Sequence, residues 1–182
     1  MALIAPAGPI DAERLDRAVS LCSQLGLESV AGASALARTG YLAGSDDARA
    51  ADLQSAIDDP QIDAIWALRG GYGAMRLLPR LRFEALRAKP RAYIGFSDNT
   101  SVHLALALAG VVSFHAPHAG GDFPPFAEEW FRRILFDPSD TTALTAPSGA
   151  PLEVWQNGVA EGRLIGGNLS LLAAAEGTAH AL

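Results

Sequence analysis

Over the first 122 residues, apolar positions switch repeatedly between short continuous runs and a helical spacing. Residues 2–5 read as a short buried strand, and Pro6-Ala7-Gly8-Pro9 as a loop at its C-terminal end. Asp11 is placed to cap a helix that runs to Leu25 and stops at Gly26. A weak second strand at 27–30 precedes a small, polar, unperiodic loop at 32–42. The next helix starts at Gly44-Ser45-Asp46-Asp47, turns Ala48, Leu53, Ala56 and Ile57 inward, and ends at Asp59-Pro60. Residues 62–68 form a central strand, followed by Arg69-Gly70-Gly71-Tyr72-Gly73 and a helix through Met75, Leu77 and Leu78. A run rich in aromatic and β-branched residues, 92–96, leads abruptly through Ser97-Asp98-Asn99-Thr100 into Val102, Leu104, Ala105 and Leu108, closing on Gly110. One more strand, 111–114, runs into His115-Ala116-Pro117-His118-Ala119-Gly120-Gly121.

Strands separated by helices of this size predict an α/β fold with a doubly wound, mainly parallel sheet. Ligands of such sheets bind beyond the carboxyl ends of the strands. The loops at 6–9, 69–73 and 95–99 each follow a strand, so they share that edge and can form one site.

From Phe123 the pattern changes. Pro124-Pro125 opens an aromatic-rich helix at 126–136, with Trp130, Phe131, Ile134 and Leu135 available for packing, and 137–151 reads as a linker. Two strands, 152–155 and 159–165, are expected around the Asn157-Gly158 turn. Gly166-Gly167-Asn168-Leu169 opens a final helix of Leu and Ala. The expected organisation is an N-terminal α/β domain at 1–122, a helix and linker at 123–151, and the truncated start of a second domain at 152–182. A hairpin and one helix bury too little surface to stand alone.

Composition narrows the function classes. Forty-nine per cent apolar and 19% charged residues fit a packed core rather than disorder. A net charge of −6 argues against nucleic acid as a partner. No apolar stretch reaches the roughly 18 residues of a membrane span, and the N-terminus lacks the basic region of a signal peptide. A cytoplasmic protein without a membrane partner is expected. The one cysteine, Cys22, falls on a predicted helix face with Leu15, Ala18, Val19 and Leu25 and reads as a buried small hydrophobe.

Ser97 admits two readings. The strand-turn-helix setting can lift its hydroxyl to the sheet edge beside helix N–H groups, as a nucleophile requires. Equally, Ser97, Asp98 or Asn99 can simply cap the helix. The Gly70-Gly71 corner is likewise either a tight turn or a place where backbone N–H groups approach a substrate oxygen that Cβ atoms would obstruct. It is a poor dinucleotide fingerprint, because Arg76 stands where Gly or Ala belongs and the loop lies in a late βα unit. The histidines, His103, His115, His118 and His180, form no C-x-x-C or H-E-x-x-H pattern, so no metal is expected. His103, six residues along the helix from Ser97, points elsewhere.

Four stretches taken together resemble the serine LD-carboxypeptidases, the muramoyl-tetrapeptide carboxypeptidases and microcin C self-immunity peptidases. They are Tyr41 to Leu53 (YLAGSDDARAADL), Ala67 to Gly73 (ALRGGYG), Ile94 to Thr100 (IGFSDNT) and Leu164 to Ser170 (LIGGNLS). The resemblance implies a Rossmann-like or class I glutamine amidotransferase-like α/β domain and a peptidase cutting the L,D-bond to the terminal D-Ala of cytoplasmic murein tetrapeptides. It assigns the nucleophile to Ser97 and the oxyanion hole to the backbone amides of Asp98 and of Gly70 or Gly71. Substrate-binding candidates are Arg69, Tyr72 and His115. No cofactor is implied, and members of the family often form homodimers. The family completes its triad with a Glu and a His downstream of the G-G-N-L motif. Glu161, Glu176 and His180 do not match them, so impaired activity is expected. His115-Ala116-Pro117 departs from the usual His-Gly-Pro, which is expected to change loop conformation rather than chemistry.

Overall fold

Two stop signals shape the sheet. In the computed structural model, which describes residues 1–137, 139–140, 143–150 and 152–181, α1 (Ala12–Gln24) is capped by the Asp11 side chain, which accepts from Arg14 N at 2.8 Å. It ends at Gly26 with φ +78°, where Gly26 N donates to Ser23 O and Leu27 N to Cys22 O. This paired closure satisfies carbonyls that the last turn leaves open. It also takes Leu27 out of the expected second strand, so β2 is only Val30–Ala31. The same happens after α4 (Thr100–Leu108): Gly110 has φ +75°, Val111 N donates to Leu106 O, and β5 shortens to Phe114–His115. In both places an apolar residue expected to start a strand instead finishes a helix.

With β1 (Ala2–Ile4), β3 (Ala64–Ala67) and β4 (Ala92–Gly95), these strands form a five-stranded sheet in the order β2-β1-β3-β4-β5. All four pairings are parallel, with Leu3 opposite Trp66 and Trp66 opposite Ile94. With the right-handed crossovers that parallel strands adopt, this strand order puts α1 on one face and α2 (Asp46–Asp58), α3 (Glu84–Ala88) and α4 on the other. The sheet is therefore doubly wound, and the strand order reverses between β1 and β3. Helix α2 is capped by Ser45, whose hydroxyl accepts from Ala48 N at 3.2 Å. The helix expected through Met75 is a 3-10 segment, Met75–Arg80, tightened around Pro79.

The core lies between α2, α4 and the sheet, where Leu53, Ile57, Ile65, Leu86, Tyr93 and Leu106 are buried. Each such aliphatic side chain contributes about 1.5–3 kcal/mol on removal from water. Cys22 is also fully buried on α1.

The chain groups into two units, Met1–Asp122 with Gly166–Leu182, and Phe123–Ile165. In the first, the closing helix α6 (Leu169–Ala175) follows Asn168, whose backbone N–H donates to Thr100 Oγ1 at 3.0 Å. The second unit contains α5 (Pro125–Phe136), with proline in its first turn, where no intrahelical N–H partner is lost. Phe123 packs edge-on against Phe131 at 5.3 Å, and Arg133 lies 4.6 Å over the Trp130 ring. The hairpin expected around Asn157-Gly158 does not form: the described residues of 152–165 contain no strand, and Trp155, Val159 and Leu164 are exposed. An isolated two-stranded hairpin has too little apolar contact to hold itself together.

Candidate active site

The loops after β1, β3 and β4 meet at the C-terminal edge of the sheet. Gly8 N donates to Gly70 O at 3.0 Å, and Arg69 Nη1 donates to Pro9 O at 2.9 Å. Arg49 reaches up from the first turns of α2 and is fully buried. Its guanidinium donates to Pro6 O and to Gly73 O, the latter at 3.0 Å, and pairs with Asp46. On the other side of the same Gly73–Ala74 peptide, Ala74 N donates to Asp98 Oδ2 at 2.8 Å. One peptide group is thus held at its carbonyl by a buried cation and at its N–H by a buried carboxylate.

Ser97 has φ +60° and is, among the described residues, the one non-glycine in the left-handed region. That conformation costs an L-residue roughly 1 kcal/mol or more and persists only where neighbouring structure imposes it. Here the imposing contacts are visible. Asn99 accepts from Tyr93 OH at 2.6 Å and donates to Phe96 O at 3.0 Å. His103 Nε2 lies 2.9 Å from Gly95 O, with its Nδ1 2.8 Å from Ser113 Oγ. His118 stacks on Phe96 at 4.2 Å, with Nε2 3.0 Å from Asn99 Nδ2. The capping alternative is not realised: no side chain caps α4, because Asp98 and Asn99 are turned into these inward bonds. Ser97 itself is half-buried, at the surface of the turn.

The glycine corner touches it directly. A Cβ placed on Gly70 would lie 2.8 Å from Ser97 Cβ, 3.0 Å from Ser97 Oγ and 3.2 Å from His118 Cε1. Gly71 follows with φ +124°, so the corner combines close approach with a backbone turn that other residues resist. Of the sequence candidates, Ser97, Asp98, Gly70 and Gly71 are therefore brought together. Arg69 and Tyr72 are exposed on the rim, Tyr72 edge-on to Tyr41 at 5.8 Å. His115 is exposed at the end of β5, with its ring 6.1 Å from that of Phe96.

Electrostatics follow burial. Desolvation raises Asp98 above the usual carboxylate range, offset in part by the Ala74 N–H and by Arg49. Burial lowers His103 and His118 to about 4, so both rings are neutral at pH 7. Among the described residues, no His, Asp or Glu side chain is hydrogen-bonded to Ser97 Oγ. Arg49, Asn99 and His118 are the contributors that sequence reasoning passed over. Arg49 lay in a quoted motif, but nothing in its periodicity marked a charged residue as buried.

The LD-carboxypeptidase N-terminal domain family matches residues 1–116. The chain belongs to the LD-carboxypeptidase family. The murein tetrapeptide carboxypeptidase of Pseudomonas aeruginosa is 38% identical over 185 residues, covering 98% of this chain and 60% of that protein. Among solved structures, the muramoyltetrapeptide carboxypeptidase of Oxalobacter formigenes is 31% identical with a TM-score of 0.68, over 76% of this chain and 49% of that one. The self-immunity protein MccF in complex with glutamyl sulfamoyl guanosine is 25% identical with a TM-score of 0.83, over 99% of this chain and 63% of that one. This LD-carboxypeptidase chain spans 56–60% of the length of curated relatives that it matches along nearly all of its own. Among its described residues no helix is long and apolar enough to cross a membrane.

Proposed function

We propose that the chain carries the nucleophile half of a serine-type LD-carboxypeptidase that hydrolyses the L,D-bond to the terminal D-Ala of murein tetrapeptides in the cytoplasm. The observation that carries this reading is the left-handed Ser97 seated against Gly70 at the C-terminal edge of β4. Ser97 Oγ attacks the scissile carbonyl carbon, and the resulting oxyanion is held by backbone N–H groups of Asp98 and of the Gly70-Gly71 corner. Fixed donors of this kind act without reorganisation as the charge develops. Collapse of the intermediate breaks the C–N bond, D-alanine leaves with a proton on its nitrogen, and water then hydrolyses the acyl-enzyme.

The hydroxyl proton needs an acceptor, and none of the described side chains is bonded to Ser97 Oγ. In this reading the chain by itself is a slow catalyst, retaining at most the rate that oxyanion stabilisation and binding supply. A murein substrate is favoured over a nucleotide-linked one by likeness, 38% identity to the murein tetrapeptide enzyme against 28% to the microcin C7 self-immunity protein of Escherichia coli. A fluorophosphonate probe tests the nucleophile. Labelling of the wild type and none of Ser97→Ala supports it, and an unlabelled wild type with intact circular dichroism rejects it. Release of D-alanine from a tetrapeptide, followed by mass spectrometry, tests the bond.

A further inference from the structure

A cavity of 650 Å³ lies beside the elbow, bounded by Arg14 and Arg17 of α1, Phe96, His115, His118 and Asp122. Its size falls within the range of small-ligand sites. It adjoins Ser97 in two ways. Phe96 is the preceding residue, and His118 Cε1 lies 3.2 Å from the same Gly70 Cβ position that is 3.0 Å from Ser97 Oγ.

Its charge is unbalanced. Asp122 is the one carboxylate among the lining side chains, against two guanidinium groups. Arg69 adds a third positive charge nearby: burial, then Arg69 and Arg17, press the Arg14 guanidinium below its ordinary value, against the opposing pull of Asp11 and Asp122. Arg14 has no ion-pair partner within 4.0 Å among the described residues, whereas Arg17 is held by Glu13 at 2.6 Å. Arg14 is nevertheless oriented, because its Nε donates to Leu68 O at 2.9 Å. That bond fixes the plane of the fork, and Nη2 sits 3.0 Å from the Gly121 Cβ position on the cavity wall. A preorganised guanidinium without a carboxylate partner suits bidentate recognition of a planar anion.

We propose that Arg14, supported by Arg17, binds the free terminal carboxylate of the peptide whose penultimate carbonyl meets Ser97. This rests on the nucleophile reading above and names the subsite that makes the enzyme cut one residue from a chain end. The carboxylate of the departing residue lies one residue past the scissile bond, about 3.8 Å in Cα spacing. Its receptor must therefore adjoin the serine, as this cavity does. An internal peptide bond offers no charge to Arg14.

The test uses Nα-acetyl-L-lysyl-D-alanine and its C-terminal amide as probes, titrated into the full chain by calorimetry. The acid should bind at least tenfold more tightly than the amide, in keeping with the worth of a charge-assisted hydrogen bond. Arg14→Gln should bring the two within about twofold, and Arg14→Lys should keep part of the preference. Arg132→Gln, on exposed α5, should leave it intact. Equal binding of acid and amide by the wild type, no binding of either, or an undiminished preference in a folded Arg14→Gln overturns the assignment. If Arg14→Gln does not fold, Arg17→Gln decides: it should lower the preference severalfold, and an unchanged preference is fatal. Fluorophosphonate labelling, scored separately on the wild type, reports Ser97 alone. Carboxylate selectivity without labelling would sink the nucleophile and leave this site standing, and the reverse result would do the opposite.

Discussion

Replacing Arg49 by methionine keeps most of the side-chain volume and removes one buried cation. The Pro6 and Gly73 carbonyls lose a donor, Asp46 loses one of two arginine partners, and buried Asp98 loses its compensating charge. Removing one side of a buried ion pair costs about 3–5 kcal/mol, a large share of the roughly 5–15 kcal/mol that holds a domain together. With a urea dependence of about 1–3 kcal/mol per molar, the unfolding midpoint by circular dichroism should drop by about 2 M. The loss should also depend on pH. Asp98 is raised in the fold, so its ionisation costs stability above the unfolded carboxylate pKa, and without Arg49 that cost grows. Burial works to raise Asp46, but Arg76 and Arg49 outweigh it and hold it below the usual range. Its contribution is therefore present above the unfolded value and lost as pH falls through the folded one. Both effects make Arg49 worth more at pH 7 than at pH 3.5, where the carboxylates are protonating. A difference below about 1 kcal/mol at pH 7, or one constant down to pH 3.5, would refute the clamp.

Gly70→Ala should lower the rate of fluorophosphonate labelling about 100-fold by displacing Ser97, the scale of a 1 Å misplacement, while circular dichroism stays native. Ser97→Gly should melt higher than Ser97→Ala by the equivalent of about 1 kcal/mol, because only the alanine keeps the left-handed penalty; equal melting would contradict the strain. His103, lowered to about 4 by burial, binds its proton less readily folded than unfolded. Stability should then fall as pH drops from the ordinary histidine value toward 4, His103 contributing up to about 3 kcal/mol beside a similar share from His118, and His103→Gln should remove its own share of that fall in urea titrations.

Helix starts and stops were legible because one residue carries each signal: Asp11, Ser45, Gly26 and Gly110 act where their chemistry predicts. Strand starts were not, since Leu27 and Val111 are apolar for the helix they close rather than for the sheet. The Ser97 turn was visible as a motif, but its choice between cap and exposed hydroxyl was not. That choice depends on Asn99 meeting Tyr93 and Asp98 meeting Ala74, contacts set by the folded loops. Buried Arg49 escaped notice for the same reason. The Asn157-Gly158 turn shows the opposite error, a strong local signal with no sheet to receive it.

The fit between the Gly70 corner and the serine also bears on the gene. Every single-base change in a glycine codon that alters its meaning installs a side chain or ends translation. Drift at codon 70 therefore has no gentle first step: each variant that selection meets already intrudes on the nucleophile's own carbon and oxygen.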